Sequence, residues 1–475
     1  MPDSQKRPNI VVIVSDDHGR EALGCYGNPV VKTPSLDALA AEGIRFSNSF
    51  CTTASCAPSR SVILTGLHNH TNRTYGLTHL PHNFSIADGI KTLPIYLREA
   101  GYRTGRIGKQ HYRPESQYPF DWDPEETTKA IASYDLQKIH RADDDEAYRR
   151  VRDDVLKADR CVDFINQKDE RPFFLYFASY NPHRENLRRD HPLKPDDFGN
   201  PTEDFPGDKE LRFNPDEVIV PDFLNDTPET RAELAEYYQS INRLDRGIGR
   251  LIKHLGDAGV MDNTVIMYLT DNGGAFPVSK TTLYEPAMRL PFIIRSPFHK
   301  GRGAINNAMV NWADITPTIM DFAGKPLEKT EEFLGESIVP ILDDPDAKDW
   351  RDEVFAAHSF HQVTNYYPMR VIRTRKYKFF YNIAWKLTYP SASDLWRSGT
   401  LQSAMRDGDT IGKRTFDSYL NRPMFELYDL DEDPDELNNL AAEPAYADMV
   451  EDFKERIKGY QKATNDPWLH KWEYE

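Results

Sequence analysis

The chain has little cysteine, no long apolar run and a shortage of basic residues, and each absence excludes a class of protein. Four cysteines in 475 residues, Cys25, Cys51, Cys56 and Cys161, are too few and too irregularly spaced for a disulfide scaffold or a zinc site. They fit a mostly reduced compartment. No apolar stretch is long enough to span a bilayer, and the opening Met1-Pro2-Asp3-Ser4-Gln5-Lys6-Arg7-Pro8 lacks the apolar centre of a signal peptide. As written, the sequence predicts a cytoplasmic protein, or a periplasmic or secreted one whose leader has been removed. With 59 Lys and Arg against 75 Asp and Glu the formal net charge is −16. That balance repels nucleic acid and anionic membrane surfaces, so neither is expected as a partner. An anionic substrate would have to be gathered by a local basic pocket.

What is present is ordinary for a folded protein: 39% hydrophobic and 28% charged residues, with no internal repeat. The length suits one large domain with a smaller partner. Asn9-Ile10-Val11-Val12-Ile13-Val14 is a continuous β-branched run followed by Ser15-Asp16-Asp17-His18-Gly19, the pattern of a buried parallel strand ending in a polar loop. Thr264 to Leu269 with Thr270-Asp271-Asn272-Gly273 repeats it, Pro172 to Ala178 ending in Asn181-Pro182-His183 gives a third such strand, and Pro291 to Arg295 a fourth. Helical spacing runs over Ser35 to Glu42, Leu93 to Ala100 and Thr230 to Ala258. Alternating strands and helices predict an α/β core. Residues 185 to 225, rich in Pro, Asp and Arg, read as a surface excursion. Beyond about residue 340 come short strands at Met369 to Arg373, Tyr377 to Tyr381 and Leu427 to Leu430, then a helix near Ala447 to Lys462. We expect a catalytic domain over 1–345 and a smaller antiparallel α+β domain over 346–475.

Ligands in open α/β sheets bind beyond the carboxyl ends of the strands, so the acidic loops should meet at one site. Asp16, Asp17, Asp271 and Asn272 form an all-oxygen set suited to a hard divalent cation, Ca²⁺ or else Mg²⁺ or Mn²⁺. Taken singly, either loop would be read as ordinary capping by Asp and Asn. Ser55-Cys56-Ala57-Pro58-Ser59-Arg60-Ser61-Val62-Ile63-Leu64-Thr65-Gly66 places Cys56 where a loop enters a helix, with free backbone N–H groups and the helix dipole favouring an anion there. Pro58 suits the first turn, and Arg60 sets a fixed charge about one turn from Cys56. The duller reading of Cys56 is a buried, inert thiol.

The Cys56-x-Pro58-x-Arg60 core with Leu64-Thr65-Gly66 resembles the signature of the type I, formylglycine-dependent sulfatases of the alkaline-phosphatase superfamily. Asn9 to Gly19, Gly105 to His111, Pro182-His183, Thr270 to Gly273, Lys280 to Glu285 and Ala313 to Thr318 follow in the family's order. The resemblance implies a large mixed, mostly parallel sheet flanked by helices. Within the family, Asp271-Asn272-Gly273, Phe276-Pro277, Tyr75-Gly76-Leu77, Tyr118 to Asp121, Tyr367 to Arg370 and Asp466-Pro467-Trp468 are similar to the sulfamidases, which act on N-sulfoglucosamine in glycosaminoglycans. Asn181 and Gln362 depart from that pattern, which carries acids there, as does Lys280, which stands in place of arginine. Glu285-Pro286-Ala287-Met288-Arg289 departs equally from the Glu-Gly-Gly-x-Arg of many O-sulfatases, so N- versus O-sulfate stays open.

The resemblance further implies that a formylglycine-generating enzyme oxidises Cys56 and that the hydrated aldehyde attacks sulfur in a two-step reaction. Lys109 and Arg60 would hold that group and His111 would serve as base for the second step. His183 and Lys280 would neutralise the sulfate oxygens and one of them would give the leaving group its proton, with the roles of His111 and His183 exchangeable. His70, Asn181, His361 and Gln362 are placed at the sugar pocket of a sulfated saccharide. Arg184, Arg188 and Arg189 are read as a solvated charged face in preference to a polymer contact. The aromatics from Trp385 to Tyr389 and Trp396 either cover the pocket or meet another subunit, which leaves a homo-oligomer open. Rival readings are an aryl or polysaccharide O-sulfatase, a phosphonate or phosphate ester hydrolase on the same fold, and a non-catalytic carbohydrate-binding relative, which would lack the nucleophile or the metal ligands.

Overall fold

The computed structural model describes residues 7–124, 145–185, 197–201, 203–330, 333–347 and 349–474. Seven strands build the main sheet: β1 (Asn9–Ser15), β2 (Ile44–Phe50), β3 (Arg103–Gly108), β4 (Phe173–Ala178), β5 (Thr264–Thr270), β6 (Phe292–Arg295) and β7 (Ala304–Asn311), in the order β3-β4-β1-β5-β6-β2-β7. All neighbours run parallel except β6, which is antiparallel to both β5 and β2. Thus Pro291 to Arg295 is a strand but not a fourth parallel one. Its direction depends on the connection, which local apolarity does not encode.

β1 lies inside the sheet, and every one of its side chains is buried, which is why it reads as an unbroken apolar run. Ile10, Val12 and Val14 face one core layer with Phe174 and Met267. Val11 and Ile13 face the other, against Leu244, Ile248 and Leu251 of the helix Pro228–Asp257. That helix begins with Thr227, whose side chain accepts from the Thr230 N–H, and with proline in its first turn. Register pairs Ser15 with Thr270, so the loops after β1 and β5 emerge side by side. At the end of β3, Gly108 has φ of +87°, and a Cβ there would lie 1.9 Å from the Ala178 carbonyl oxygen. Only glycine permits this close approach of β3 to β4.

The smaller sheet is antiparallel, β8 (Glu353–Phe360), β9 (Tyr366–Thr374), β10 (Tyr377–Asn382) and β13 (Phe425–Asp429), ordered β13-β10-β9-β8. A two-stranded ribbon, β11 (Thr410–Ile411) and β12 (Arg414–Thr415), stands apart. One face of the smaller sheet, with Ile372, Phe379 and Leu427, covers Val450, Phe453 and Ile457 of the helix Ala447–Ala463. Its other face, with Met369, Val371 and Phe380, joins the core of the main sheet. No helix among the described residues is long and apolar enough to cross a membrane. Arg188 and Arg189, within the expected excursion, lie outside the described residues. Arg184 is not on a solvated face: it is buried and pairs with Asp197 and Glu233, each at 2.8 Å.

A buried bidentate pair ties β9 to the chain's end: Arg370 donates from Nε and Nη2 to Asp466, at 2.5 and 2.7 Å. Asp466 is buried, and although burial opposes ionisation, Arg370 holds its carboxyl well below the ordinary 3.8. Because the folded value is depressed, the pair's contribution is complete above the unfolded value and is lost as pH falls below it. Asp466→Ala is expected to cost about 3–5 kcal/mol, the range for leaving a buried partner unpaired. Urea unfolding at neutral pH and near pH 3 checks this: the variant's deficit should shrink in acid.

Candidate active site

The carboxyl ends of β1 and β5 bring Asp16, Asp17, Asp271 and Asn272 together, all fully buried. Asp17 has φ of +60°, a left-handed conformation that costs a non-glycine residue energy unless its surroundings impose it. Here they do. The Asp17 N–H donates to Asp271 Oδ1 at 3.1 Å, and its carbonyl accepts from the Tyr237 hydroxyl at 2.8 Å.

Cys56 is the first residue of the helix Cys56–Thr65, where the backbone N–H groups of the first turn are free. Two bonds pin this helix to the end of β5: Ser59 donates to the Asp271 carbonyl, and Arg60 Nε donates to Asp271 Oδ2 at 2.8 Å. The Thr316 hydroxyl braces it from behind by donating to the Ile63 carbonyl. The Cys56 thiol lies 3.6 Å from Asp17 Oδ1. Burial, reinforced by Asp17 and Asp16 and opposed by Lys109 and Lys280, pushes that thiol well above its ordinary value. The helix dipole therefore does not create a thiolate here. Burial, and after it Asp17 and Asp16, keeps residue 56 in its cysteine form as a thiol.

Cations close the site. Lys109, directly after β3, bonds to Asp16, and Arg60 Nη2 stands 3.8 Å from Asp16 Oδ1. Lys280 bridges Asp17 Oδ2 at 2.8 Å and Asp394 Oδ2 at 2.6 Å, and these carboxylates hold its pKa well above the ordinary value against burial. His183 Nε2 lies 3.8 Å from Asp17 Oδ2. His111 has φ of +39° and bonds through Nε2 to His79 Nδ1 at 3.2 Å. Burial first, then neighbouring Lys and Arg charges, pushes His111 and His183 well below the ordinary histidine range, so both are neutral. His361 Nδ1 bonds to Ser55 Oγ at 2.9 Å, just before Cys56. Gln362 donates to Ser393, the neighbour of Asp394, at 2.9 Å.

Two residues expected at the sugar pocket have side chains engaged in the scaffold. Asn181 is buried in scaffold: its amide donates to the Arg152 carbonyl and to Asp154, and its oxygen accepts from Arg152, Ser240 and Arg243. His70 is buried against Tyr460 and bonds to Thr464 Oγ1 at 2.7 Å, at the seam with the C-terminal helix. Asp394 and His79 have no motif to mark them. The segment that carries Asp394 draws notice in the sequence for its aromatics, and Tyr389 does pack on the Lys280 loop, bonding to Thr281 at 2.7 Å.

The donor set fits a hard divalent cation. Asp16 Oδ1 and Asn272 Oδ1 are buried without a hydrogen-bond partner among the described residues, a state that buried acceptors rarely keep unless something else satisfies them. Ligand atoms of Asp16, Asp17, Cys56 and His183 all lie within 4.8 Å of one another. Burial first, then the neighbouring Asp271, raises the Asp16 carboxyl to about 6 although Lys109 and Arg60 pull it down.

This architecture and site define a hydrolase of anionic esters, and comparison with known proteins gives the family. Residues 8–325 match the model of the family described as Sulfatase, and the chain belongs to it. Residues 275–391 match a second, described as N-sulphoglucosamine sulphohydrolase, C-terminal. The chain is 35% identical to human N-sulphoglucosamine sulphohydrolase, covering 97% of this chain and 91% of that one. It is 27% identical to an N-acetylglucosamine-6-O-sulfatase of Bacteroides thetaiotaomicron, covering 98% and 88%. A protein solved with its substrate D-glucosamine-2-N,6-O-disulfate shares the fold with a TM-score of 0.66 at 23% identity, covering 97% and 99%. The chain is thus a sulfamidase-like sulfatase, a hydrolase of sulfate esters or sulfamates.

Removing divalent cations should destabilise the protein, and adding them at 100 times the dissociation constant should restore about 2.7 kcal/mol. Since the Asp16 carboxyl must be ionised to bind, affinity should rise with pH through about 6 and weaken below it. Melting temperatures with and without cation at pH 5 and pH 7.5 measure this. Asp17→Ala should abolish the response.

Proposed function

We propose that the chain releases sulfate from N-sulfoglucosamine, with Ca²⁺ as the resident cation and with Cys56 converted to formylglycine by a formylglycine-generating enzyme. The observation that carries this reading is the 35% identity over 97% of the chain to the human sulfohydrolase. A formylglycine hydrate would supply the nucleophilic oxygen at position 56, and a divalent cation among Asp16, Asp17, Asp271 and Asn272 would stabilise negative charge on it.

The side chains account for the remaining steps. Arg60, Lys109 and Lys280 are buried, fixed and protonated, so they attract the sulfo group and offset charge developing on its oxygens in the low-dielectric site. Each is oriented by a carboxylate, so little rearrangement is needed. His183 is neutral in this structure, and an arriving sulfate raises its proton affinity, which suits it to protonate the departing nitrogen or oxygen. His111 keeps a buried Nδ1 without a partner among the described residues and serves as the base for release of sulfate. Burial of Cys56, Arg60 and Lys280 at 0–1% exposure excludes bulk water from the attacking face.

The exchange of an acid for Asn181 bears little on substrate choice, because that amide is spent within the scaffold. Gln362 bonds to Ser393, so the neighbouring Asp394 carboxylate, paired with Lys280, places a negative charge close to that side chain. The second reading, an O-sulfatase on another sulfated glycan, draws on Gln362 and Lys280, which do stand at the site. Sulfate release from N-sulfoglucosamine and from 6-O-sulfated N-acetylglucosamine decides between them, with the aldehyde at residue 56 confirmed by mass. The sulfamate should be hydrolysed preferentially, and activity confined to the O-sulfate would reject the assignment. Cys56→Ala should reduce both to background.

A further inference from the structure

The turn that holds His79 borders the site just past Tyr75-Gly76-Leu77 and outside the segments that carry the resemblance. His79 is half-buried, and next to it Leu80 is 50% exposed, so apolar packing does not explain the residue. Its carbonyl accepts from the N–H groups of His82 and Asn83 at 2.9 and 3.1 Å, which closes the turn. His82 Nδ1 accepts from the Val363 N–H at 3.2 Å. The Leu77 N–H donates to the His361 carbonyl at 2.9 Å, and His361 is itself bonded to Ser55. The imidazole of His79 is therefore held on a platform built from the same loop that touches the residue before Cys56.

From that platform His79 Nδ1 meets His111 Nε2 at 3.2 Å, with ring centroids 5.3 Å apart, and His82 stacks edge-on behind it at 5.0 Å. A neutral imidazole has one N–H and one lone pair. The other ring nitrogen of His111, Nδ1, is buried with no hydrogen-bond partner among the described residues. Buried N–H groups without an acceptor are rarer than lone pairs without a donor. That preference places the proton of His111 at Nε2, directed at His79.

We propose that His79 is a positioning residue for His111: it accepts the His111 Nε2–H, fixes the ring and its tautomer, and so leaves Nδ1 as the basic atom of the site. The left-handed backbone at His111 supplies the need, since a ring on a strained, loop-borne residue has no neighbouring strand to orient it. Partners that orient a metal-ligating histidine through its second nitrogen are worth about 10–100-fold in metal affinity or activity, and an effect of that size is expected for a base held in the same way. The inference rests on the proposed role of His111 but not on which sulfated sugar is hydrolysed.

The test uses the full chain with confirmed aldehyde at residue 56, and whichever of N-sulfoglucosamine, 6-O-sulfated N-acetylglucosamine or an aryl sulfate the wild type hydrolyses fastest. His79→Leu removes the acceptor, His79→Gln restores one, His111→Ala removes the base, and a double variant combines His79→Leu with His111→Ala. We expect His79→Leu to lower kcat about 10–100-fold with KM changed less than about twofold, and His79→Gln to recover most of the loss. The double variant should be no slower than His111→Ala. Equal impairment of His79→Leu and His79→Gln, or full kcat in His79→Leu beside a strongly impaired His111→Ala, would overturn the proposal. Full activity in His111→Ala would instead overturn the role given to His111, and the proposal with it.

Discussion

Three carboxylates sealed from water at the ends of two neighbouring parallel strands set the terms for everything around them. Asp16, Asp17 and Asp271 are fully buried, and desolvating that much like charge costs several kcal/mol per ion unless positive charge is supplied at short range. The chain supplies three fixed cations, Arg60, Lys109 and Lys280, each bonded to at least one of the carboxylates. A fourth carboxylate, Asp394, shares Lys280 and returns the protein's own balance to a net deficit of positive charge. The oxygens of Asp16 and Asn272 left without a partner among the described residues fit a divalent cation.

The rest of the architecture holds this cluster in register. β1 and β5 pair from Asn9↔Thr264 through to Ser15↔Thr270, so both acidic loops leave the sheet at the same height. Tyr237 on the long helix holds the strained Asp17 from one side. The Cys56 helix is held to Asp271 from the other. The smaller sheet is part of the same machine: His361, Gln362 and Asp394 come from the chain between β8 and β13, and its inward face shares the main core. Mobility of that part relative to the main sheet would alter Lys280 and Ser55 together.

Legibility followed burial pattern. β1, β4 and β5 are visible in the sequence because strands inside a mostly parallel sheet are apolar on both faces, as in Ile10 to Val14 and Phe173 to Ala178. β2, Ile-Arg-Phe-Ser-Asn-Ser-Phe, and β7, Ala-Ile-Asn-Asn-Ala-Met-Val-Asn, are partly exposed and polar, and β3 carries two arginines and two glycines, so none of the three stands out as a strand. The metal ligands and Cys56 lie in contiguous motifs that carry their chemistry locally. Asp394 and His79 act through contacts with residues 114 and 32 positions away, which no local pattern specifies. His70 and Asn181 go the other way. Both lie within or beside matched segments, yet their hydrogen bonds go to the C-terminal helix and to a buried Arg–Asp network.

One cation and an oxidised residue 56 must occupy the space these charges define if the site works as described. Anomalous diffraction from crystals grown with Ca²⁺, and in parallel with Mn²⁺, tests this directly. We predict a single anomalous peak coordinated by Asp16, Asp17, Asp271 and Asn272, with density at residue 56 for an aldehyde hydrate directed at the ion. A peak elsewhere, or an unmodified thiol beside an ion-free cluster in protein that still releases sulfate, would contradict it.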